Sequence, residues 1–393
     1  MASASRSSDI WVADSFEVRV EEIPASGNMR RKFTFSPIWC FLLSIPGILL
    51  LFAHPLPSLG YVADFTGFLV GAKLIGTPQI YDIATNLTLQ KAFTEVNDPT
   101  IIFMRQPFWA YAMKPFLNLT YSHAFLLWRV IVGFTLIACV WVSGSDRRFY
   151  LLALSWSVPA MGCIVMGNDS SLILLFTLIS LACWRNDRHF LAGVALGLCL
   201  CKFHFLIFLP LLLFRKQYRQ ELKGFLLSAA VLVAINFAVQ PGWISLYWGA
   251  LNIPQKNMSG HPTLMPNFYA AFFWTEHPEI AVVLGGLFVL SIIWYICNRL
   301  PFDLAMPLCI FSALLTAPHT NALDWILAMP AILAVHSWFP QIKPMALFLL
   351  SPVAALFCFW GPRTIGPAIV VAASLLFLGV TCRLIRSEMI EIS

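Results

Sequence analysis

The sequence predicts an all-α polytopic membrane protein, and three observations carry that prediction. Charged residues are only 11% of the 393 positions and apolar residues 59%, with a mean hydropathy of +0.78; a soluble domain carries about 25% charged residues. The apolar residues are gathered in runs, many of them near the length of about 20 residues that a helix needs to cross the hydrocarbon core. The basic residues fall in short clusters between those runs, as topology signals do. That scattering argues against nucleic-acid binding despite a formal net charge of +6.

Residues 1–29 are polar, mixed in charge and without the short apolar core of a cleaved signal peptide, so they read as a cytoplasmic N-terminal segment. Arg30, Arg31 and Lys32 then precede an apolar run over 33–53 and hold the N-terminus inside. Residues 54–120 are broken by prolines and carry Asp64, Asp82, Arg105 and other charges. They read as a long outer loop of interfacial helices, partly covered by aromatics such as Phe103, Phe108 and Trp109. Further spans are expected over 121–142, 149–166, 170–184, 189–201, 205–214 and 224–240. A second outer loop, 241–278, precedes spans over 279–298, 303–317, 322–338, 344–360 and 365–382. The count is about twelve crossings, with both termini inside and a short tail at 387–393, so that 30–386 forms a single multispanning domain. The runs 189–201 and 205–214 are short for free-standing spans and require shielding by neighbouring helices.

Under this count the basic clusters share one face. The other collects Asp64, Asp82, Arg105, Asn168, Asp169, Lys202, His204, His261, His319, Asp324 and Arg363. Ionisable groups at membrane level are costly and tend to be functional, so this pool points to a site on the outer face. Each member also has a plainer reading. Asp64, just past the first run, either caps a helix or acts as a base at the water boundary. Lys202 either snorkels or meets a phosphate. His319 after Pro318 either closes a turn or joins the site, Asp324 either favours a helix N-terminus or lines it, and Asn168-Asp169 either forms a tight turn or contacts substrate. The histidines show no His-x-x-x-His spacing and the ten cysteines no Cys-x-x-Cys pair, so neither a metal nor another cofactor is expected. No Gly-x-x-x-x-Gly-Lys loop occurs, which argues against an ATP-driven pump. A secondary transporter or lipid-linked-sugar flippase is the competing reading. It should show paired halves, and only the interrupted segment 189–214 favours it.

The ordered set of these residues resembles glycosyltransferase family 87. Asp64-Phe65 is followed by Gly76-Thr77-Pro78 and Tyr81-Asp82, and then by Phe103-x-Arg105-x-Pro107-Phe108, Pro115 and Trp128. Gly167-Asn168-Asp169-Ser170 stands where the family has a Gly-Gln-x-Asn-like turn, Ala192-Gly193 leads to Lys202, and Pro318-His319 precedes Asp324. Asn168 replaces the usual Gln, Phe203 the Pro that commonly follows the Lys, and Leu323 the Tyr that commonly precedes the Asp. The resemblance implies a C-type glycosyltransferase-like helical bundle. It also implies a polyprenyl-phosphate-linked sugar donor, mannose in that family, and a lipid or glycan acceptor. Asp64 would be the general base in an inverting transfer on the non-cytoplasmic face of a multi-pass protein, in the plasma membrane or a bacterial inner membrane. Arg105, Lys202 and His204 are then candidates for donor phosphate, and His319 for phosphate or for orienting Asp64. Asp82, Asn168, Asp169, His261 and Asp324 are possible substrate-lining residues, and Asp82 reads also as a turn residue that caps the next loop helix. Sequons at Asn86, Asn118, Asn168 and Asn257 all fall on the same outer face.

Overall fold

A chain this apolar must satisfy its backbone polar groups within each segment, which leaves helices as the structure it can form in lipid. The computed structural model describes residues 62–251, 265–317, 320–360 and 365–392. The N-terminal segment 1–29, the run 33–53, His261, His319 and Arg363 lie outside the described residues. All regular elements among the described residues are helical.

The expected outer loop contains three short helices, α1 (Asp64–Leu74), α2 (Ile83–Thr94) and α3 (Pro107–Met113). They are followed by α4 (Tyr121–Val142), α5 (Arg147–Trp156), α6 (Val158–Met166), α7 (Ser170–Arg185) and α8 (His189–Leu198). A 3-10 run over Cys199–Leu206 leads to α9 (Leu209–Leu213), α10 (Arg219–Val239), α11 (Trp243–Leu251), α12 (Phe268–Ala271), α13 (Pro278–Arg299) and α14 (Phe302–Thr316). A second 3-10 run, Ala322–Ala328, opens into α15 (Met329–Trp338), α16 (Lys343–Leu350), α17 (Pro352–Trp360) and α18 (Ile365–Ile392).

Among the described residues five helical stretches are long and apolar enough to cross a membrane, or seven if each bent pair is one span. The pair α5–α6 bends by 67° and the pair formed by residues 340–350 and α17 by 45°. Each bend has a proline at the start of its second helix, Pro159 and Pro352, where a helical ladder cannot continue unbroken. Residues 170–185, 302–316 and 322–338 are apolar but shorter. One correction concerns the segment after α7. Residues 189–206 form one candidate span, and Lys202 is a break inside it (φ −123°, ψ 60°), not the exposed turn between two crossings that the sequence suggested.

The centre of the bundle is α14. Every residue of it except Asp303 is buried, as expected for a helix that is apolar all round. It packs against α13, α15, α9, α7 and both 3-10 runs. The most extensive helix pair is α8 with α10. A side chain at Gly193 would run into the Glu221 carbonyl, and one at Gly224 into the Phe190 carbonyl. Bare Cα positions therefore let these backbones touch, as small residues do between membrane helices.

Side-chain amides dock the first loop onto this bundle. Asn236 of α10 accepts from the Phe108 amide at 2.7 Å and donates to Gln106 Oε1 at 3.1 Å, while Gln106 Nε2 donates to the Leu200 carbonyl at 3.0 Å. Gln240 accepts from Gly76 N at 2.6 Å and donates to the Thr77 carbonyl at 3.0 Å. These bonds bracket Arg105 and bring it to the level of Lys202.

Candidate functional site

Asp64 is the first residue of α1, a helix otherwise buried on nearly every side. Its two neighbours fix the helix start. Phe65 sits among Phe116, Phe125 and Trp128, with ring centroids 5.7, 5.4 and 5.9 Å away. Thr66 Oγ1 shares a 2.6 Å hydrogen bond with the Tyr121 hydroxyl. The carboxylate thus projects from a rigid base. Its Oδ2 accepts a 2.7 Å hydrogen bond from Asn168 Nδ2. Its Oδ1 takes no bond from the described residues, and Asp64 stays half-buried where its neighbours are sealed.

Asn168 reaches Asp64 because of the residue before it. Gly167 adopts φ +64°, and a Cβ there would stand 2.9 Å from both Phe65 Cβ and Trp128 Cδ1. Only glycine meets both demands at low cost. Trp128 Nε1 pins the turn by donating to the Gly167 carbonyl at 2.8 Å. Asn168 Oδ1 then accepts from Ser170 N at 2.9 Å as α7 begins.

Below this turn lies a buried ion cluster. Arg105 forks onto Asp169, with Nε to Oδ2 at 2.9 Å and Nη2 to Oδ1 at 3.1 Å. Lys202 Nζ lies 2.8 Å from Asp169 Oδ1, 2.6 Å from Asp324 Oδ1, 2.5 Å from Ser170 Oγ and 3.4 Å from Asn168 Oδ1. Ser170 Oγ also donates to Asp324 Oδ1. The other oxygen of Asp324 accepts from Asn321 N at 2.9 Å, completing a capping box for the second 3-10 run. The break at Lys202 is what turns its side chain into this cluster. Buried charges persist only when paired and hydrogen-bonded, and each charge here has such a partner.

Asp64, Arg105, Asn168, Asp169, Lys202 and Asp324 thus form one connected set. Two of the candidate residues are engaged elsewhere, Lys202 within the cluster and Asp82 in the helix cap that its position suggested. Lys202 is 2% exposed and its three N–H donors are taken by Asp169, Asp324 and Ser170, so it has no donor left for a phosphate. Asp82 is exposed and acts as the N-cap of α2, accepting from Thr85 N at 2.8 Å and Thr85 Oγ1 at 2.6 Å; it makes no bond to the cluster. Arg105 keeps 16% side-chain exposure, with its guanidinium 5.9 Å over the Phe68 ring and Nη1 unused by the fork. His204 is half-buried against Phe205 at 4.1 Å and within electrostatic reach of Asp324. Tyr81 supports Arg105 from behind, its hydroxyl donating to the Arg105 carbonyl at 2.9 Å. Among the described residues no three His, Cys, Asp or Glu side chains converge to hold a metal ion.

The acids of these segments differ in character. Burial pushes the Asp64 carboxyl above the ordinary carboxylate range, against the pull of the Asn168 hydrogen bond and of the Lys202 and Arg105 charges. For Asp169 burial acts the same way, but Arg105 and Lys202 outweigh it and hold the group well below that range. Thr85 lowers Asp82. Asp64 therefore takes a proton more readily than Asp169 beside it, and such a separation between neighbouring acids is one way a site provides a base.

The residue that sequence reasoning missed is Ser170, which joins Lys202 to Asp324. Its signal was its position, next to an acid at the start of an apolar run, although a serine there reads equally well as a cap. The family model described as Glycosyltransferase family 87 matches residues 103–318, more than half of the chain. The match includes Arg105, Asn168, Asp169 and Lys202. No curated protein and no solved structure matches the chain.

Proposed function

This chain belongs to glycosyltransferase family 87 and is a membrane glycosyltransferase, and from that premise we propose that it transfers a hexose, mannose by the family resemblance, from a polyprenyl-phosphate donor to a lipid or glycan acceptor. The observation that carries the reading is the Asp64 carboxylate, with one oxygen held by Asn168 and the other open. A phosphate is a good leaving group, so the transfer needs little protonation of it. The reaction needs a base for the acceptor hydroxyl and positive charge near the departing phosphate. Asp64 Oδ1 takes the hydroxyl proton as the acceptor oxygen attacks the anomeric carbon. The bond to the phosphate breaks on the opposite face, through a transition state of oxocarbenium character. A β-linked donor would leave an α-linked product.

Arg105 is the cation in this set with unused donor capacity, and its Nη1 is our choice for the donor phosphate. Lys202 is assigned a framework role, holding Asp169, Asp324 and the Asn168 turn in place. His204 remains a candidate at the rim and His319 a candidate for orienting Asp64. The site is assigned to the non-cytoplasmic face of a chain with about twelve crossings, supported by the basic clusters on the opposite loops. The test is direct. The purified protein is incubated with labelled polyprenyl-phosphate mannose and a membrane lipid extract, and labelled product is sought. Label that stays in the donor under conditions where the protein is folded, or label released only as free sugar, would count against transfer to an acceptor.

A further inference from the structure

The amide of Asn168 has only one workable orientation. Its Oδ1 accepts from the Ser170 amide at 2.9 Å, and the Lys202 ammonium charge stands 3.4 Å from it. Its Nδ2 faces the Asp64 carboxylate at 2.7 Å. A flipped amide would set its NH2 against the Ser170 N–H and the Lys202 charge, and its oxygen against a carboxylate. Lys202 is itself immobilised by Asp169, Asp324 and Ser170. The side chain is 3% exposed, and the Gly167 turn fixes its backbone. Asn168 is therefore a fixed donor aimed at one oxygen of an otherwise rotatable carboxylate.

We infer that Asn168 is a positioning residue for the transfer: by holding Asp64 Oδ2 it presents Oδ1 to the acceptor hydroxyl, and the Ser170 N–H, with the Lys202 charge beside it, fixes the direction of the amide that does so. This rests on the reading of Asp64 as the base. The groups facing Asp64 are Asn168 from the turn, Lys202 from the 3-10 run, Arg105 from the first loop and Asp169 at the start of α7, with Asp324 one step behind Lys202. Of these only Asn168 bonds the carboxylate, so it governs orientation while the others supply field.

The decisive variant is Asn168→Asp. It keeps an acceptor oxygen for Ser170 N, so the turn survives, but it replaces the donor to Asp64 with a second carboxylate. Asn168→Ala removes both contacts, and Asn168→Gln restores an amide on a longer arm. Each is assayed for kcat, donor KM, melting temperature and the pH dependence of transfer, with Asp64→Asn alongside. For Asn168→Asp the expected result is a fall in kcat of about 10²-fold, the scale of a misplaced reacting group. Donor KM should be unchanged, and the acid limb should move to higher pH as two acids share a proton. Asn168→Gln should recover part of the rate. Wild-type kcat in Asn168→Asp and Asn168→Ala, or losses that follow melting temperature with an unmoved pH profile, overturn the inference. So does failure of all three variants to fold, which would make the residue purely structural. If Asp64→Asn itself transfers normally, the reading of the base has failed. If Asp64→Asn is inactive while the Asn168 variants behave as wild type, the base stands and the positioning role falls.

Discussion

Asp64→Asn is the substitution on which most depends. The replacement is isosteric, and its carbonyl oxygen can take the Asn168 Nδ2 hydrogen bond that Oδ2 accepts at 2.7 Å. Its NH2 then occupies the open position of Oδ1, and the group that should receive the acceptor proton becomes a donor. General-base contributions run to about 10²–10⁴ in rate. At about 1.36 kcal/mol per tenfold, that is about 2.7–5.4 kcal/mol of barrier. Stability should move the other way. Burial raises the Asp64 pKa above its unfolded value, so this group favours the folded state fully below the ordinary carboxylate pKa of about 3.9 and loses that contribution as pH rises through the folded value. At neutral pH the asparagine avoids that loss, and the melting temperature should equal or exceed that of the wild type. The assay is single-turnover transfer from labelled donor at matched protein, beside a thermal melt in the same detergent. Transfer at near wild-type rate would refute the assignment of the base. A lowered melting temperature would refute the account of its environment.

Lys202→Ala should destabilise the fold by about 3–5 kcal/mol, the cost of breaking a buried pair, while donor KM in the protein that remains folded stays near wild type; a selective rise in KM would return Lys202 to the phosphate. Gly167→Ala combines a left-handed backbone with a Cβ 2.9 Å from Phe65 and Trp128, and should cost about 2–4 kcal/mol in thermal or denaturant unfolding. Asp82→Asn should leave transfer unchanged and stability within about 0.5 kcal/mol, since asparagine is an equally good N-cap; loss of activity there would place Asp82 in the site after all.

The membrane class of the chain was legible because it depends on composition and run length, which are local properties. Asp64, Arg105, Asn168, Asp169, Lys202 and Asp324 could be singled out for a similar reason: polar and ionisable groups are conspicuous in an apolar chain. Their pairing was not legible. Lys202 reads as a free cation until Asp324, 122 residues away, is seen against it. Ser170 reads as a cap until it is seen joining the two. The cap at Asp82 had a local signal in Thr85 three residues on, and that local contact, not the distant site, claims its carboxylate. The spans divide in the same way. Long single helices such as α4 and α13 could be read from hydropathy, whereas the bends at Pro159 and Pro352 and the break at Lys202 depend on what packs beside them.

The ion cluster has a consequence for how the chain is made. Its fork joins residues 64 positions apart, and its link from Lys202 to Asp324 spans 122. A ribosome delivers Arg105, Asp169 and Lys202 to the membrane in that order, well before Asp324. Until that last acid arrives, the nascent bundle holds two cations against one cluster carboxylate, and Lys202 lacks its 2.6 Å partner. Closure of the cluster therefore cannot begin the assembly of this domain. It marks a late step, in which the second 3-10 run slots against α7 and α14 and brings the missing charge with it. The same residues that define the site thereby report that synthesis has passed Asp324, with four helices, α15 to α18, still to follow.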